Sequence, residues 1–233
     1  MNIIVTGASK GIGYDTVLAL SQDKNNHIIA ISRDEAKLSA LQTACFAQFQ
    51  NKITCFSCDI TKLTPQQITE ILLPVEKIDI LINNAGLLIQ KPFLALEQAD
   101  WQAVFEVNVF AIVRLTQMLF PYLQKSKTPH IVNIGSMGGF PYSQKFAGLS
   151  AYSASKAALA NLTECLAEEW AEEGIKCNCL CLGAINTDLS KQAFPDYTAP
   201  LNSEDIAVFI ADFALHAHKY MNGKVLPISL STP

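Results

Sequence analysis

Seven short apolar, β-rich runs alternate with longer stretches of helical periodicity along almost the whole chain. The β-rich runs are residues 3–6, 27–32, 53–58, 78–82, 130–134, 175–182 and 224–228, and the helical stretches are 11–22, 34–50, 65–74, 100–125, 150–173 and 203–216. Because alternating strands and helices connect through right-handed crossovers, this order predicts an α/β fold. We expect a doubly wound parallel sheet with helices on both faces and a ligand crevice at the carboxyl ends of the strands.

Composition fits one such domain over residues 1–233. Half of the residues are apolar and 16% are charged, which suits strands buried on both faces. The net charge of −4 and the lack of a Lys/Arg cluster argue against nucleic acid and anionic membrane as partners. No uninterrupted apolar run approaches the ~20 residues that span a bilayer. We therefore expect a cytoplasmic protein whose partners are small molecules and copies of itself.

Seven cysteines, an odd number, lie mostly in apolar runs, which predicts reduced, buried thiols. Cys55 and Cys58 form a C-x-x-C inside a strand-like run, where core packing is favoured over redox chemistry. Cys177, Cys179 and Cys181 alternate on another strand, so they share a face at roughly 6.6 Å per step. Tetrahedral zinc needs sulfurs about 3.8 Å apart, and no metal site is predicted.

A glycine-rich turn, residues 6–13, connects the first strand to the first helix. In a dinucleotide-binding turn Gly7 permits the tight bend, Gly11 lets backbone approach the phosphates, and Gly13 lets helix and strand pack closely. The helix N-terminus supplies N–H donors for a pyrophosphate. The alternative is a purely structural turn. The other residues predicted to bind cofactor here are Ser9, Lys10 and Ile12.

The spacing G-x-x-x-G-x-G with Thr6 before it resembles the short-chain dehydrogenase/reductase family, and the resemblance spans essentially the whole chain. Further matching features follow in order: Asp59, the Asn83-Asn84-Ala85-Gly86 run, Asn108, Ser136, and Tyr152-Ser153-Ala154-Ser155-Lys156. The resemblance implies a Rossmann fold, a nicotinamide cofactor and oxidoreductase activity on a small carbonyl or alcohol. It also implies a homodimer or homotetramer.

Cofactor preference is read at the end of the second strand, where an acidic residue would bond the ribose 2′-OH of NAD. This chain has Ser32 and then Arg33, whose planar charged fork suits a 2′-phosphate, and Lys10 approaches the same group. NADP(H) is therefore preferred, with NAD(H) possible. Two alternatives stay open: Arg33 pairs with a neighbouring acid, or Asp34 reaches a ribose.

The resemblance assigns further cofactor contacts. It implies that Asp59 and Ile60 border the adenine, while the Asp59 carboxylate alternatively caps a turn. Asn83 is expected to tie neighbouring strands together. The remaining contacts implied are to the ribose and to the nicotinamide carboxamide: Asn84, Ala85 and Gly86 for the former, Ile185 and Thr187 for the latter. Leu182 stands where the family usually has proline, which makes that turn less rigid.

Tyr152 and Lys156 lie four apart in a helical stretch, so they rise from one face. The neighbouring ammonium is expected to lower the tyrosine pKa, so that Tyr152 exchanges a proton with substrate while Lys156 holds the ribose hydroxyls. Ser136, at the same sheet edge, is expected to bond the substrate oxygen. By family resemblance Asn108 holds a water that connects Lys156 to solvent; otherwise it is a buried, hydrogen-bonded or helix-kinking Asn.

Two loose segments, residues 135–149 and 188–202, follow strands and are expected to wall the substrate site, although they are alternatively plain connections. Candidate apolar contacts, or else loop residues packed on the core, are Phe140, Tyr142, Phe146, Leu189, Phe194 and Tyr197. The helices over 100–125 and 150–173 are expected to pair between subunits, and the candidates for that surface are Phe105, Phe110, Leu115 and Leu162. Rival functions are an NAD-dependent dehydrogenase, a silent cofactor-binding sensor, and epimerisation or sugar-nucleotide modification.

Overall fold

A computed structural model describes residues 1–194 and 196–230. Seven strands form its main sheet, all parallel, in the order β3-β2-β1-β4-β5-β6-β9. They are β1 (Asn2–Thr6), β2 (His27–Ser32), β3 (Thr54–Ser57), β4 (Ile80–Asn83), β5 (His130–Ser136), β6 (Lys176–Leu182) and β9 (Val225–Ile228). The predicted doubly wound sheet is confirmed. Its order reverses between β1 and β4, and such a reversal opens a ligand crevice beyond the strand ends.

Eight α-helices cover the sheet: α1 (Gly11–Ser21), α2 (Glu35–Phe49), α3 (Pro65–Leu72), α4 (Gln98–Phe105), α5 (Ala111–Leu123), α6 (Ser150–Glu169), α7 (Asp188–Ala193) and α8 (Ser203–His216). Local sequence explains where several begin. Thr64 and Gln67 form a capping box with Pro65 at the first position of α3, and Asp34 caps α2 by accepting from the Lys37 backbone N–H.

Consecutive strand residues bury their side chains on opposite faces of the sheet. On β1, Ile3 and Val5 join the core beneath α1, α2 and α8, while Ile4 joins the core beneath α3, α5 and α6. All three residues are fully buried. Because both faces are covered, most strand residues are apolar, and burial of these side chains is the main force that holds the layers together.

Three segments differ from the sequence-based expectation. The stretch 188–202, expected to be loose, contains α7 and β8 (Leu201–Asn202), which pairs with β7 (Ile185–Asn186) in a second, two-stranded sheet. Asp, Ser, Pro and Asn residues recur along this stretch, and elements of two to six residues are too short to show a periodicity among them. The helix predicted over 100–125 has a π turn at Glu106–Phe110, between α4 and α5. Helix α6 ends at Glu169, earlier than predicted.

The helix that runs through this π turn, Gln98–Leu123, is the one stretch of the described chain with the length and apolar composition to cross a membrane. It has 26 residues, but polar residues such as Asp100, Glu106 and Arg114 interrupt it, so it is not an uninterrupted apolar run. Leu115, Leu119 and Leu123 are buried against the sheet, as in the core helix of a globular domain. Leu115 is therefore wrong as a subunit-surface candidate, whereas Phe110 on the same helix is exposed.

Four cysteines are buried as predicted, namely Cys45, Cys177, Cys179 and Cys181, whereas Cys55 and Cys58 are half-buried and Cys165 is exposed. The distance argument for the β6 cysteines is wrong. The Cys179 and Cys181 sulfurs lie 3.9 Å apart, not roughly 6.6 Å, because both lean over Gly135. A Cβ on Gly135 would stand 2.7 Å and 2.9 Å from the two sulfurs, so the missing side chain makes the space that they fill. Among the residues that the structure describes, no group of three or more His, Cys, Asp or Glu side chains is placed to hold a metal.

Candidate active site

The glycine turn has the geometry of a phosphate cradle. Gly7 and Gly11 have φ of +68° and +53°, a region that L side chains rarely adopt. At Gly13 a Cβ would stand 2.4 Å from both the Asn84 Nδ2 and the Gly7 carbonyl oxygen, so only glycine fits. Lys10 occupies the N-cap position of α1 without a side-chain cap bond, which leaves N–H donors of the first turn for an anion. These residues fit a pyrophosphate.

Side chains behind the cradle fix it to the end of β4. The Asn84 amide donates to the Thr6 and Gly7 carbonyl oxygens at 3.0 Å and 3.2 Å. The Thr6 hydroxyl accepts from the backbone N–H groups of Asn84 and Ala85, each at 3.1 Å. The Nδ2 group of the Asn84 side chain therefore shapes the turn, and Asn84 also lines the cleft. Thr6 was missed as a site residue, although its place before Gly7 was the available signal.

The second-strand end carries an unpaired cation. Ser32 donates to the Ser9 hydroxyl at 2.7 Å, which closes the turn over β2. In the part of the chain that the structure describes, Arg33 is exposed and forms no ion pair with Asp34 or Glu35, while Asp34 is engaged as the α2 cap. Lys10 pairs across the cleft mouth with Asp188 at 3.7 Å, through side chains that are both mostly exposed.

Asp59 caps a turn, which is one of the two roles that the sequence left open for it. One of its oxygens accepts from the Thr61 backbone N–H at 3.0 Å and the Thr61 hydroxyl at 2.8 Å. Burial opposes its ionisation, but these hydrogen bonds and the charge of Arg33 outweigh burial and hold its pKa below the ordinary range. The second carboxylate oxygen is not used in this turn, so capping does not exclude a contact with adenine.

Tyr152 and Lys156 occupy successive turns of α6, as predicted. The Lys156 Nζ lies 5.9 Å from the centroid of the Tyr152 ring and donates to the Ile134 carbonyl oxygen at 2.8 Å. Burial lowers the pKa of Lys156 to about 8, against an opposing contribution from the nearby thiols of Cys179 and Cys181. The buried ammonium has one carbonyl partner and is left with donors to spare.

The expected lowering of the Tyr152 pKa is wrong for the protein without cofactor. Burial raises this pKa, and a hydrogen bond with Ser136 opposes the rise without reversing it. The physical reason is that the Lys156 side chain passes the ring and ends on the Ile134 carbonyl. Ser136, the last residue of β5, also accepts from the Gly138 backbone N–H at 3.1 Å, which orients its hydroxyl beside the phenol.

Asn108 lies at the centre of the π turn and is fully buried. Its amide donates to the Leu87 carbonyl and the Ser155 hydroxyl, each at 2.9 Å, and its oxygen accepts from the Leu87 N–H at 2.8 Å. A Cβ on Gly86 would stand 3.5 Å from the Asn108 oxygen and 3.6 Å from the Lys156 Nζ. The helix-distorting, hydrogen-bonded interpretation of Asn108 is therefore the one these contacts support.

The loop after β6 closes the other side of the cleft. Thr187 caps α7 by accepting from the Ser190 backbone N–H at 3.3 Å, and its methyl carbon lies 3.4 Å from where a Cβ on Gly11 would stand. Ile185 is buried in β7. The turn through Leu182 is fixed by a hydrogen bond from the Gly183 N–H to the Ile228 carbonyl oxygen at 2.8 Å.

Every sequence-predicted catalytic or cofactor-binding residue except Asn108 lines one cleft of about 1280 Å³. From the sequence-predicted set it gathers Gly7, Ser9, Lys10, Gly11, Ile12, Gly13, Ser32, Arg33, Asp59, Ile60, Asn84, Ala85, Gly86, Ser136, Tyr152, Lys156, Ile185 and Thr187. That volume exceeds an ordinary small-ligand pocket and suits a dinucleotide together with a second molecule. Lining residues that sequence reasoning missed include Leu88, Gln144, Leu149 and Ala193, which carry no motif.

Comparison with known proteins agrees with this geometry. A sequence model of the family described as short chain dehydrogenase matches residues 1–198. Dehydrogenase/reductase SDR family member 6 of Rattus norvegicus is 31% identical over 188 residues, which cover 79% of this chain and 71% of the relative. A 3-oxoacyl-[acyl-carrier-protein] reductase of Thermotoga maritima is 29% identical over 240 residues, with 97% and 94% covered.

A solved structure extends the likeness to three dimensions. A short chain dehydrogenase of Escherichia coli CFT073, complexed with NADPH, has a TM-score of 0.87 and 28% identity to this chain. The alignment covers 97% of this chain and 95% of that one.

Proposed function

Because the chain belongs to the short-chain dehydrogenase/reductase family of oxidoreductases, we propose that it interconverts a carbonyl and a secondary alcohol with NADP(H). The observation that carries the proposal is the meeting of Ser136, Tyr152 and Lys156 on the wall of the cleft that the glycine turn opens. The bound cofactor would supply or accept the hydride at its nicotinamide ring.

Tyr152 is proposed as the general acid in reduction and the general base in oxidation. The Ser136 hydroxyl, which bonds the phenol, would also bond the substrate oxygen where negative charge develops. Burial raises the pKa of Tyr152, so the phenol is protonated at neutral pH and holds its proton more tightly than a free tyrosine does. The hydrogen bond with Ser136 opposes this rise and favours release of the proton.

Lys156 is proposed to hold the ribose hydroxyls and to return a proton to Tyr152. Its pKa of about 8 leaves it charged at neutral pH but able to release a proton at modest cost. The expected water at Asn108 would complete the path to solvent. The Asn108 oxygen, which faces the Lys156 amine across Gly86, retains a lone pair for such a water.

NADP(H) is proposed over NAD(H) because of the side chains at the end of β2. Ser32 supplies no carboxylate for a 2′-OH, Asp34 is engaged in capping α2, and Arg33 presents an unpaired guanidinium in solvent. A guanidinium in that position suits a 2′-phosphate. The NADPH complex of the E. coli relative supports the same choice.

We also propose one domain over residues 1–233, a cytoplasmic location, and a homodimer or homotetramer built on α4, α5 and α6. Exposed Phe110 and half-buried Leu162 and Phe105 are the apolar residues available on these helices.

The test is Tyr152→Phe, which removes the proton donor and keeps the ring. Turnover, followed as loss of reduced-nicotinamide absorbance with a panel of ketones, aldehydes and diketones, is expected to fall about 10²- to 10⁴-fold with NADPH binding nearly unchanged. Tyr142→Phe, at a fully exposed ring in the neighbouring loop, is the matched control. A wild type that binds NADPH yet reduces no carbonyl would overturn the proposal and favour a cofactor-binding sensor.

A further inference from the structure

The substrate end of the cleft is a small apolar chamber built from separate parts of the chain. Leu88 follows β4, Leu149 precedes α6, and Ala193 ends α7; all three are buried in one cluster. Packed against them are Tyr152, Leu189 and Phe194. Apart from the phenol of Tyr152, these six side chains carry no polar group. A substrate whose carbonyl oxygen reaches Tyr152 and Ser136 therefore has these hydrocarbon side chains around the rest of the molecule.

An aromatic contact closes this chamber from two sides. The rings of Phe146, in the loop between β5 and α6, and Phe194, at the end of α7, have centroids 5.1 Å apart and an interplanar angle of 67°. This is an edge-to-face pair, a favourable arrangement of aromatic rings. The two residues lie far apart in sequence, so the contact joins the loop to the α7 segment across the mouth of the chamber.

The Phe146 side of this contact is braced. The Lys91 backbone N–H donates to the Gly148 carbonyl oxygen at 3.0 Å, which pins the loop to the segment that carries Leu88. Within the loop, the Lys145 ammonium donates to the Phe140 carbonyl oxygen at 2.5 Å and to the Ser143 hydroxyl at 2.7 Å. Phe146 is thus held in place, whereas Phe194 is carried by a helix of six residues.

The lysine of this loop and the lysine of the segment after β4 are both engaged in hydrogen bonds. Lys145 is bonded within its own loop, and Lys91 is paired with both carboxylate oxygens of Asp100 at 2.7–2.8 Å. Phe140 packs with Cys179 and Cys181 behind β6, and Tyr142 is fully exposed, so neither contributes to the chamber as had been considered. Of the three aromatic residues in the loop between β5 and α6, Phe146 is therefore the one that lines the cleft.

We propose that Phe146 and Phe194 determine substrate specificity by closing an apolar chamber that admits uncharged, largely hydrocarbon carbonyl compounds and excludes carboxylates and phosphates. The inference rests on the proposed carbonyl reductase function and names its substrate class. None of the six chamber side chains is a cation, while Lys156 of the same cleft is bonded to the Ile134 carbonyl and Lys191 is exposed to solvent. A carboxylate among the six side chains would therefore lose its hydration without an ion-pair partner in that cluster, which is unfavourable. A hydrocarbon group would instead pack against the two rings.

The first experiment compares an aryl 2-oxo ester with the corresponding free 2-oxo acid as substrates of the wild-type enzyme with NADPH. We expect kcat/KM for the ester to exceed that for the acid by about 100-fold or more, since an uncompensated charge costs several factors of ten. Equal values, or a preference for the acid, would overturn the substrate class while leaving the reductase function intact. If the Lys191→Ala variant then prefers the ester, Lys191, a cleft-lining residue of α7, is the cation that binds the acid. Turnover of neither compound nor any other carbonyl overturns both proposals.

The second experiment tests the ring pair with Phe146→Ala, Phe194→Ala and the double variant. Each single change is expected to lower kcat/KM for the ester about tenfold through KM, and the double variant is expected to lose little more, because either change opens the same contact. Values for a three- or four-carbon ketone should move less than threefold. Tyr142→Ala is the control, and unchanged NADPH affinity shows that the variants fold. Additive losses of kcat/KM in the double variant, or equal losses for the ester and the small ketone, would contradict the proposed role of the ring pair.

Discussion

Replacing Asn108 with leucine separates a structural role of this residue from a purely chemical one. The two side chains have similar size, but leucine removes every hydrogen bond that the amide makes. The Leu87 N–H and C=O lose their partners, at 2.8 Å and 2.9 Å, while the Ser155 hydroxyl keeps its bond to the Tyr152 carbonyl at 2.7 Å. Two backbone groups are therefore stranded in a partly buried site.

Each stranded group costs about 1–3 kcal/mol, so Asn108→Leu is expected to lower the free energy of unfolding by about 2–4 kcal/mol after the gain from the apolar side chain. Because Leu87 adjoins Gly86 and Leu88 on the cleft wall, NADPH affinity should fall as well. Urea unfolding monitored with and without saturating NADPH measures both effects. Asn161→Leu, on the exposed face of α6, is the control.

The result that refutes this reasoning is specific. If unfolding changes by less than about 1 kcal/mol and NADPH affinity is unchanged while turnover falls 100-fold, the hydrogen bonds to Leu87 do not support the site. Asn108 would then act through the expected water alone.

Three further changes are expected to give measurable results. Arg33→Ala should weaken NADPH binding by about 1.5–3 kcal/mol in a fluorescence titration and spare NADH; equal losses for both would refute a 2′-phosphate contact. Burial lowers the pKa of His130 from 6.5 to about 4, so the fold favours the neutral ring. The free energy of unfolding should therefore be highest above pH 6.5 and lower by about 2 kcal/mol at pH 5. Urea unfolding measures this loss, which should be absent in His130→Asn. Gly13→Ala places a Cβ 2.4 Å from the Gly7 carbonyl and should abolish NADPH binding in calorimetry, unlike Gly174→Ala, where no atom lies within 4 Å.

Much of the fold followed from the sequence because its signals are local and redundant. β1 and α8 were predicted to within a residue, since an apolar strand before glycine and a Ser203 start before helical periodicity are unambiguous. The π turn around Asn108 left no such signal. It depends on a contact with Leu87, 21 residues away, and no periodicity in the helix itself reports that partner.

The candidate site was likewise only partly predictable from the sequence. Motifs placed the glycine turn, Ser136, Tyr152 and Lys156 at one cleft, because parallel strands end at the same edge. The apolar chamber was only partly anticipated. Phe146 and Phe194 were considered, but Phe140 was considered equally and turned inward to the Cys179 side of the sheet. Aromatic residues in a loop have no period from which their direction can be derived.

The sign of the Tyr152 pKa shows why spacing alone is insufficient for electrostatics. An i,i+4 pair fixes where two side chains leave a helix, not where their charged ends finish. Lys156 is long enough to pass the phenol ring and reach the Ile134 carbonyl, so burial of the phenol is left to dominate. The same burial makes Lys156 a weaker base than usual and Tyr152 a protonated one at neutral pH. The lower pKa makes the Lys156 ammonium a better proton donor, whereas the higher pKa makes the Tyr152 phenol a weaker acid, so the proposed reduction depends on Lys156 to resupply the proton that Tyr152 gives up.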